Sequence, residues 1–320
     1  MSPDAPVVSI LMNVYNGERF LEETLASVRA QTLADYELIV VDDGSTDRTV
    51  AIAQACAESD SRVRVIVEPH NTGGVACQND ALAAARAPYC AIWDQDDLSA
   101  AGRLARQVAF LEANPDVGVL GTWAWHIGER GRRAGVSEFG PLTREEFAEL
   151  RERDAPLFAV GSSVVFRTAL ARAAGGFRPA FGPVSDADLW TRIGDKSVLL
   201  ILPERLVEYR VHAGSESTRS FFTQMTLLDL IAVNAGRRRS GLRELSRGEW
   251  ERLLAGEAPA RRLRRRRRWH ARRLYRIGGG LLADRRPAGA LYLAGAAVLD
   301  SRMVARRLRR QVAPFLATGR

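Results

Sequence analysis

Ala91-Ile92-Trp93-Asp94-Gln95-Asp96-Asp97-Leu98 decides how this chain is read. An apolar run from Tyr89 to Trp93 has the length of a buried strand and ends in three carboxylates within four residues, which no core holds unpaired. Those carboxylates must meet solvent, a cation or both. Hard divalent cations such as Mg²⁺ and Mn²⁺ prefer oxygen ligands and commonly take one or two carboxylates together with the phosphates of a nucleotide. The C-terminal ends of strands in an open α/β sheet are also where ligands bind. The alternative is an acidic turn capping a helix that begins near Ala100, with Asp97 or Ser99 as its N-cap. Capping uses one of these side chains and leaves the others unexplained, so the stretch favours a cation edge.

Working outward, the same strand-then-acid pattern recurs. Val7–Val14 is an apolar, β-branched run, followed by a helical pattern over Glu18–Gln31 with Leu21, Leu25 and Val28 on one face. Glu37–Val41 is a second strand, ending in Asp42-Asp43-Gly44-Ser45-Thr46-Asp47, where Ser45 or Thr46 caps a helix running to about Glu58. Asp42 and Asp43 are open here between a polar turn and a binding role. A third strand, Arg62–Val67, precedes a helix over Val75–Arg86, and the Tyr89 strand precedes one carrying Leu104, Val108 and Leu111. Four β-then-α units predict a parallel sheet with helices on both faces, its acidic loops sharing one edge.

After Pro115 the pattern loosens. Strands are expected at Val117–Thr122, at Ala159–Phe166, and on either side of Pro203, at Val198–Leu202 and Arg205–Val211. Residues 123–157 have no clear period, and Asp186 opens a helix whose first-turn acids suit its dipole. From Phe221 the chain reads as helical, which gives two regions, 1–220 and 221–320. Ala288–Leu299 reads as half of a helical hairpin, too short to span a bilayer.

The net charge of +8 conceals a split. Residues 1–236 carry a net −10, whereas residues 237–320 carry 24 arginines against 6 acids, a net of +18. Cys56, Cys77 and Cys90 have no metal-ligand spacing, so neither zinc nor a disulfide framework is expected. With no signal-like N-terminus and no long apolar run, a cytoplasmic protein is expected, soluble or peripheral on the inner face of the membrane.

Eight short motifs in this order resemble glycosyltransferase family 2. They are Val14-Tyr15-Asn16-Gly17-Glu18, Val41 to Asp47, Asn71 to Asn79, Asp94-Gln95-Asp96-Asp97 with its Asp-x-Asp, Gly161-Ser162-Ser163, Gly175-Gly176-Phe177, Asp186 to Trp190, and Tyr209-Arg210-Val211-His212. The resemblance covers about residues 7–215 and implies an α/β, Rossmann-like GT-A domain with a mostly parallel central sheet. It implies inverting transfer of a sugar from a nucleotide-sugar donor to a saccharide or lipid-linked acceptor, in envelope or exported polysaccharide biosynthesis. By the same resemblance Asn13 and Tyr15 contact the nucleotide base, Asp43 accepts from its imide N–H (which suits UDP or dTDP), and Asp94 lies near the ribose. Asp96 binds the Mn²⁺ or Mg²⁺, His212 is a further metal or phosphate ligand, and Asp186 is the general base.

Two positions depart from the family pattern. Gln78 stands where an Arg is usual, replacing a cationic contact to the nucleotide with a neutral one, and Ser185 stands where a Glu often precedes the base. Trp93, Trp123, Trp125 and Trp190 are candidates for an acceptor cleft, with core packing as their default.

Other classes remain in view. A nucleotidyltransferase would also use carboxylates and a metal, but would carry a Gly-rich basic loop near the first strand, which residues 13–19 lack. The basic tail could bind nucleic acid, yet the acidic body disfavours it across the catalytic edge. Lys196 is the only lysine, so the arginine excess can reflect compositional bias alone. An anionic membrane surface is the preferred partner of the tail.

Overall fold

A computed structural model describes residues 5–212, 220–283 and 286–305. The first half of the chain forms the repeat that its pattern predicts. Strands β1 (Val8–Val14), β2 (Tyr36–Asp42), β3 (Val63–Val67) and β4 (Tyr89–Ile92) alternate with helices α1 (Leu21–Arg29), α2 (Thr49–Ser59) and α3 (Gly74–Ala84). They assemble as β3-β2-β1-β4, all parallel. Successive residues of a strand face opposite sides. Ile10, Met12, Leu38 and Val40 therefore pack against Leu21, Leu25 and Val28 of α1, whereas Leu11, Ile39 and Val41 pack against Cys77, Ala81 and Leu82 of α3.

Beyond β4 the sheet becomes mixed. The short strand β5 (Leu98–Ser99), helix α4 (Arg103–Ala113), β6 (Val117–Ile127), β7 (Arg133–Ser137), helix α5 (Arg144–Glu152), β8 (Val165–Arg167), helices α6 (Thr168–Ala173) and α7 (Ser185–Ile193) and β9 (Val198–Arg210) follow in turn. The order continues β4-β8-β6-β9-β5, with β7 on β6; β6 and β9 are parallel and the other pairings antiparallel.

Four local expectations are corrected. Ser45 and Thr46 do not cap α2: the Ser45 hydroxyl accepts from the Asn16 N–H at 2.9 Å, and the Thr49 N–H is taken by Asp47 at 2.9 Å. Asp97 and Ser99 do not cap α4, which starts after Gly102. The strand expected over Ala159–Phe166 is reduced to Val165–Arg167, because Gly161–Ser163 form a 3₁₀ turn. Pro203 does not divide two strands. Leu202 pairs with Thr122 and Arg205 with Trp123, so Pro203 and Glu204 sit in a bulge where a missing N–H removes no ladder bond.

Two compact units result: Met1–Glu216 with Leu227–Glu244, and Ser217–Thr226 with Leu245–Arg320. Within the second, helices α9 (Arg247–Ala255), α10 (Pro259–Ala283) and α11 (Ala288–Leu299) follow helix α8 (Phe221–Arg239), whose first turns also belong to it. Ser246 and Glu249 form a capping box on α9. α10 and α11 make the expected hairpin. Its close approach is at Gly278 and Gly289, where a Cβ on Gly278 would lie 2.8 Å from the Gly289 carbonyl oxygen.

Candidate active site

The chain order reverses between β1 and β4, which places the loops after both strands at a topological switch point. Side chains bind these loops together. Gln95 accepts from the Tyr15 N–H at 2.8 Å and donates to the Tyr15 carbonyl at 3.2 Å. Asn16, held at φ +46°, accepts from the Thr46 N–H at 2.9 Å, and Gly17 donates to Thr49 Oγ1 at 2.8 Å. Loops after β1, β2 and β4 thus form one continuous rim.

On that rim, Asp43 is buried, and its carboxylate accepts the N–H groups of Thr72 at 2.6 Å and of Gly73 at 3.0 Å. The Thr72 hydroxyl also donates to it at 3.2 Å; a carboxylate has about four lone-pair sites, so capacity remains for one more donor. The loop comes this close because Gly44, at φ +72°, lets the backbone approach; a Cβ there would lie 2.7 Å from the His70 carbonyl carbon. Asn13 at the end of β1 lies against Gly74, Gln78 is half-buried in the first turns of α3, and Tyr15 is 45% exposed. An exposed aromatic beside a polar rim is available for stacking, unlike Trp93 and Trp190, which are fully buried core.

Asp94, Asp96, Asp97 and Asp186 gather where β4 ends. Asp97 turns inward: it accepts hydrogen bonds from Ser162 Oγ and, at 2.7 Å, from the Arg210 N–H. Burial, then the charges of Asp94 and Asp96, push its carboxyl well above the usual range. Asp94 is pushed up to about 7 by burial and by its neighbours Asp96 and Asp186. Asp96 Oδ2 and His212 Nε2 lie 2.8 Å apart. Asp186, the second residue of α7, is half-buried and is raised to about 6, chiefly by burial. It borders Gly161, whose missing Cβ would stand 3.6 Å from Asp186 Oδ2.

Two arginines hold this acidic group in place, and neither was singled out by sequence reasoning. Arg103, fully buried, donates to Ser99 Oγ at 2.8 Å and to the Ile92 carbonyl at 3.1 Å, bonds the Ser162 carbonyl, and lies 4.2 Å over the Trp93 ring. Burial lowers its pKa to about 9 against the pull of Asp97 and Asp94. Arg210, also buried, donates to the Asp96 carbonyl and to Glu23, each at 2.8 Å, and stacks 4.6 Å from the Phe20 ring that packs beside His212. The available signals were the cation six residues after Asp97 and the Arg two before His212.

Asp188 has a different task from Asp186. It is buried and ion-paired to Arg178 and, at 2.8 Å, to Arg192, which in turn bonds the carbonyls of Ala174 and Gly176. Removing one member of a buried pair costs about 3–5 kcal/mol. Asp188→Ala is therefore expected to lower unfolding stability by roughly 3 kcal/mol, while the folded fraction keeps turnover within a few-fold; denaturant melts and active-fraction kinetics check both.

Among the described residues, no three His, Cys, Asp or Glu side chains converge as a complete metal cage. Asp96 and His212 do meet as a pair, beside Asp94 and Asp97, whose carboxyls are raised first by burial and then by neighbouring carboxylates. Such a donor set fits a hard cation completed by phosphate oxygens.

Comparison with known proteins gives the family and the fold. The model of glycosyl transferase family 2 fits residues 9–174. The chain belongs to glycosyl transferase family 2. It is 34% identical over 220 residues to EpsE of Bacillus subtilis, provisionally named a glycosyltransferase, covering 68% of this chain and 77% of that one. It is 26% identical over 223 residues to an uncharacterized Haemophilus influenzae glycosyltransferase, covering 67% and 68%. The fold is that of Staphylococcus aureus TarS 1–349 in complex with UDP (TM-score 0.55, 18% identity, 95% of this chain and 91% of that one). It is also that of the Pyrobaculum calidifontis mannosyltransferase PcManGT in complex with GDP-Man and Mn²⁺ (TM-score 0.58, 22% identity, 98% and 81%). These neighbours make the α/β core a GT-A fold, and the family makes the chain a glycosyltransferase.

Proposed function

We propose that this glycosyltransferase moves a sugar, with inversion, from a nucleoside diphosphate sugar to an acceptor hydroxyl in envelope or exported polysaccharide or glycolipid assembly. The observation that carries the reading is Asp186, a raised carboxylate on α7 facing the acidic end of β4. The acceptor O–H gives its proton to Asp186, the oxygen attacks the anomeric carbon, and the bond to the diphosphate breaks with its electron pair leaving on the nucleotide. Asp96 and His212 would hold a Mn²⁺ or Mg²⁺, which when bound neutralises charge on the diphosphate. Asp43, Asn13 and Tyr15 would form the base pocket and Asp94 would lie near the ribose.

An imide N–H facing the Asp43 carboxylate favours a UDP-sugar, with a dTDP-sugar next. Gln78 would replace a cationic phosphate contact with an amide. The basic C-terminal helices would hold the enzyme at the inner, anionic face of the membrane. A panel of UDP-, dTDP- and GDP-sugars with Mn²⁺ tests the donor reading: calorimetry and nucleotide release should favour uridine donors. Preference for GDP-sugars, or binding unaffected by Asp43→Asn, would overturn the assignment of Asp43.

A further inference from the structure

The charge-free helix α11 stands out in the second unit. Its twelve residues, Ala-Gly-Ala-Leu-Tyr-Leu-Ala-Gly-Ala-Ala-Val-Leu, contain no charged side chain. Gly289 and Ala296 bury against α10, where Gly295 also lies close to Leu274. Leu291 and Val298, each two residues further on and hence about 200° around the helix, are 76% and 79% exposed. They are seven residues apart, so they share one face; Tyr292, 38% exposed, lies about 100° around the helix from Leu291. A helix that is apolar all round is ordinarily buried or in lipid.

Beside it, α10 carries ten arginines and no acid in 25 residues. Arg261, Arg262, Arg264, Arg266, Arg267 and Arg268 are exposed. Trp269 is half-buried under Arg265, whose guanidinium lies 5.2 Å from the ring and pairs with Glu257.

We propose that the α10–α11 hairpin is an interfacial anchor, in which Leu291 and Val298 enter the outer acyl region of an anionic phospholipid bilayer while the α10 arginines lie on its headgroups. This rests on the membrane reading above and deepens it from electrostatic contact to insertion. Charge selects the occupant. A second copy would bring its own arginine run to the same place, and like charges oppose that pairing; anionic lipid supplies both an apolar layer and the opposite charge. Length excludes a span, since twelve residues cover about 18 Å against roughly 30 Å of hydrocarbon. Among the described residues no helix is long and apolar enough to cross.

The test uses the full chain and vesicles of phosphatidylcholine with or without phosphatidylglycerol. Cys56, Cys77 and Cys90 are buried, so an environment-sensitive dye placed through Leu291→Cys or Val298→Cys labels the new site selectively. The expected result is a rise in dye emission on adding anionic vesicles, with quenching by acyl-brominated lipid. Leu291→Glu combined with Val298→Glu should weaken binding about tenfold or more at fixed salt. Replacing Arg264–Arg268 with glutamine should weaken binding and flatten its salt dependence.

Salt-sensitive binding with unchanged dye emission, equal in the double-Glu variant, would overturn insertion and leave headgroup contact alone. No vesicle binding would overturn the membrane reading itself. A concentration-dependent emission rise without lipid would point to self-association, and tighter binding to duplex DNA than to vesicles would point to nucleic acid; either overturns the proposal. None of these readouts needs sugar transfer, so donor hydrolysis on the same samples separates a failed anchor from a failed catalytic assignment.

Discussion

Asp96→Ala is expected to abolish sugar transfer, by at least about 10³ in turnover, while the protein stays folded. Asp96 is half-buried; its backbone carbonyl keeps the Arg210 bond whatever the side chain, and its carboxylate contributes the contact to His212. Truncation therefore leaves the β4–β9 connection intact and should cost roughly 1 kcal/mol, the worth of one partly exposed hydrogen bond. What is lost is the carboxylate that, in the proposed mechanism, would share a cation with phosphate oxygens. Wild-type enzyme stripped with EDTA should fall to the same low rate and recover with Mn²⁺, whereas the variant should not recover. Nucleotide-release kinetics with and without metal, together with a thermal melt, separate the effects. Full activity of the variant in EDTA would sink the assignment.

His212 follows by the same logic with a smaller effect. It neighbours Phe20 as well as Asp96, and its position depends on Arg210, two residues earlier. Arg210 reaches the loop after β4, α1 and, through the carbonyls of Gly128 and Glu129, the turn after β6, so the end of β9 has several independent supports. One substitution at His212 would loosen the pair without dismantling the loop.

The parallel half of the sheet was legible because its inner strands β1, β2 and β4 are buried on both faces and each loop carries its own signal. Val8–Val14, Tyr36–Asp42 and Tyr89–Ile92 are mostly apolar and buried along their length, and the acids at their ends are where a core cannot follow. The second half depends on pairings between distant residues, which leave no local period. β8 is three residues long and is held between β4 and β6, and β9 runs through Pro203 because its partner β6 accommodates a bulge.

The candidate site divides in the same way. Asp94 and Asp96 could be picked out because carboxylates at the end of an apolar strand are conspicuous, whereas Asp186 was reached only through the family resemblance. Asp97 was conspicuous too, but nothing in its neighbours says that it faces Ser162 and Arg210. Arg103 and Arg210 look in sequence like any solvated arginines. Only the fold shows that both are buried supports of the acidic loop.

Asp186→Asn is expected to lower kcat by about 10² or more while donor affinity stays within a few-fold. The substitution keeps size and removes basicity, and a hydroxyl nucleophile at neutral pH needs a nearby base. The pH dependence fixes the sign. With its carboxyl raised to about 6, Asp186 holds its proton below that pH and cannot accept another, so log kcat should rise with unit slope up to about pH 6 and then level. An aspartate at its ordinary 3.8 would leave the rate flat down to about pH 4. Stability distinguishes a base from a cap. Because the folded pKa lies above the unfolded one, ionising Asp186 as pH rises from 3.8 through about 6 costs folding free energy. The uncharged asparagine should then be at least as stable as wild type above pH 6. A residue serving only the helix N-terminus, where Asp186 Oδ1 accepts from the Ala187 N–H at 2.7 Å, would instead lose about 1 kcal/mol on replacement and keep its turnover. Measuring kcat against pH and a denaturant melt at pH 7.5 on the same preparation decides between them, and near-normal turnover would remove Asp186 from the mechanism.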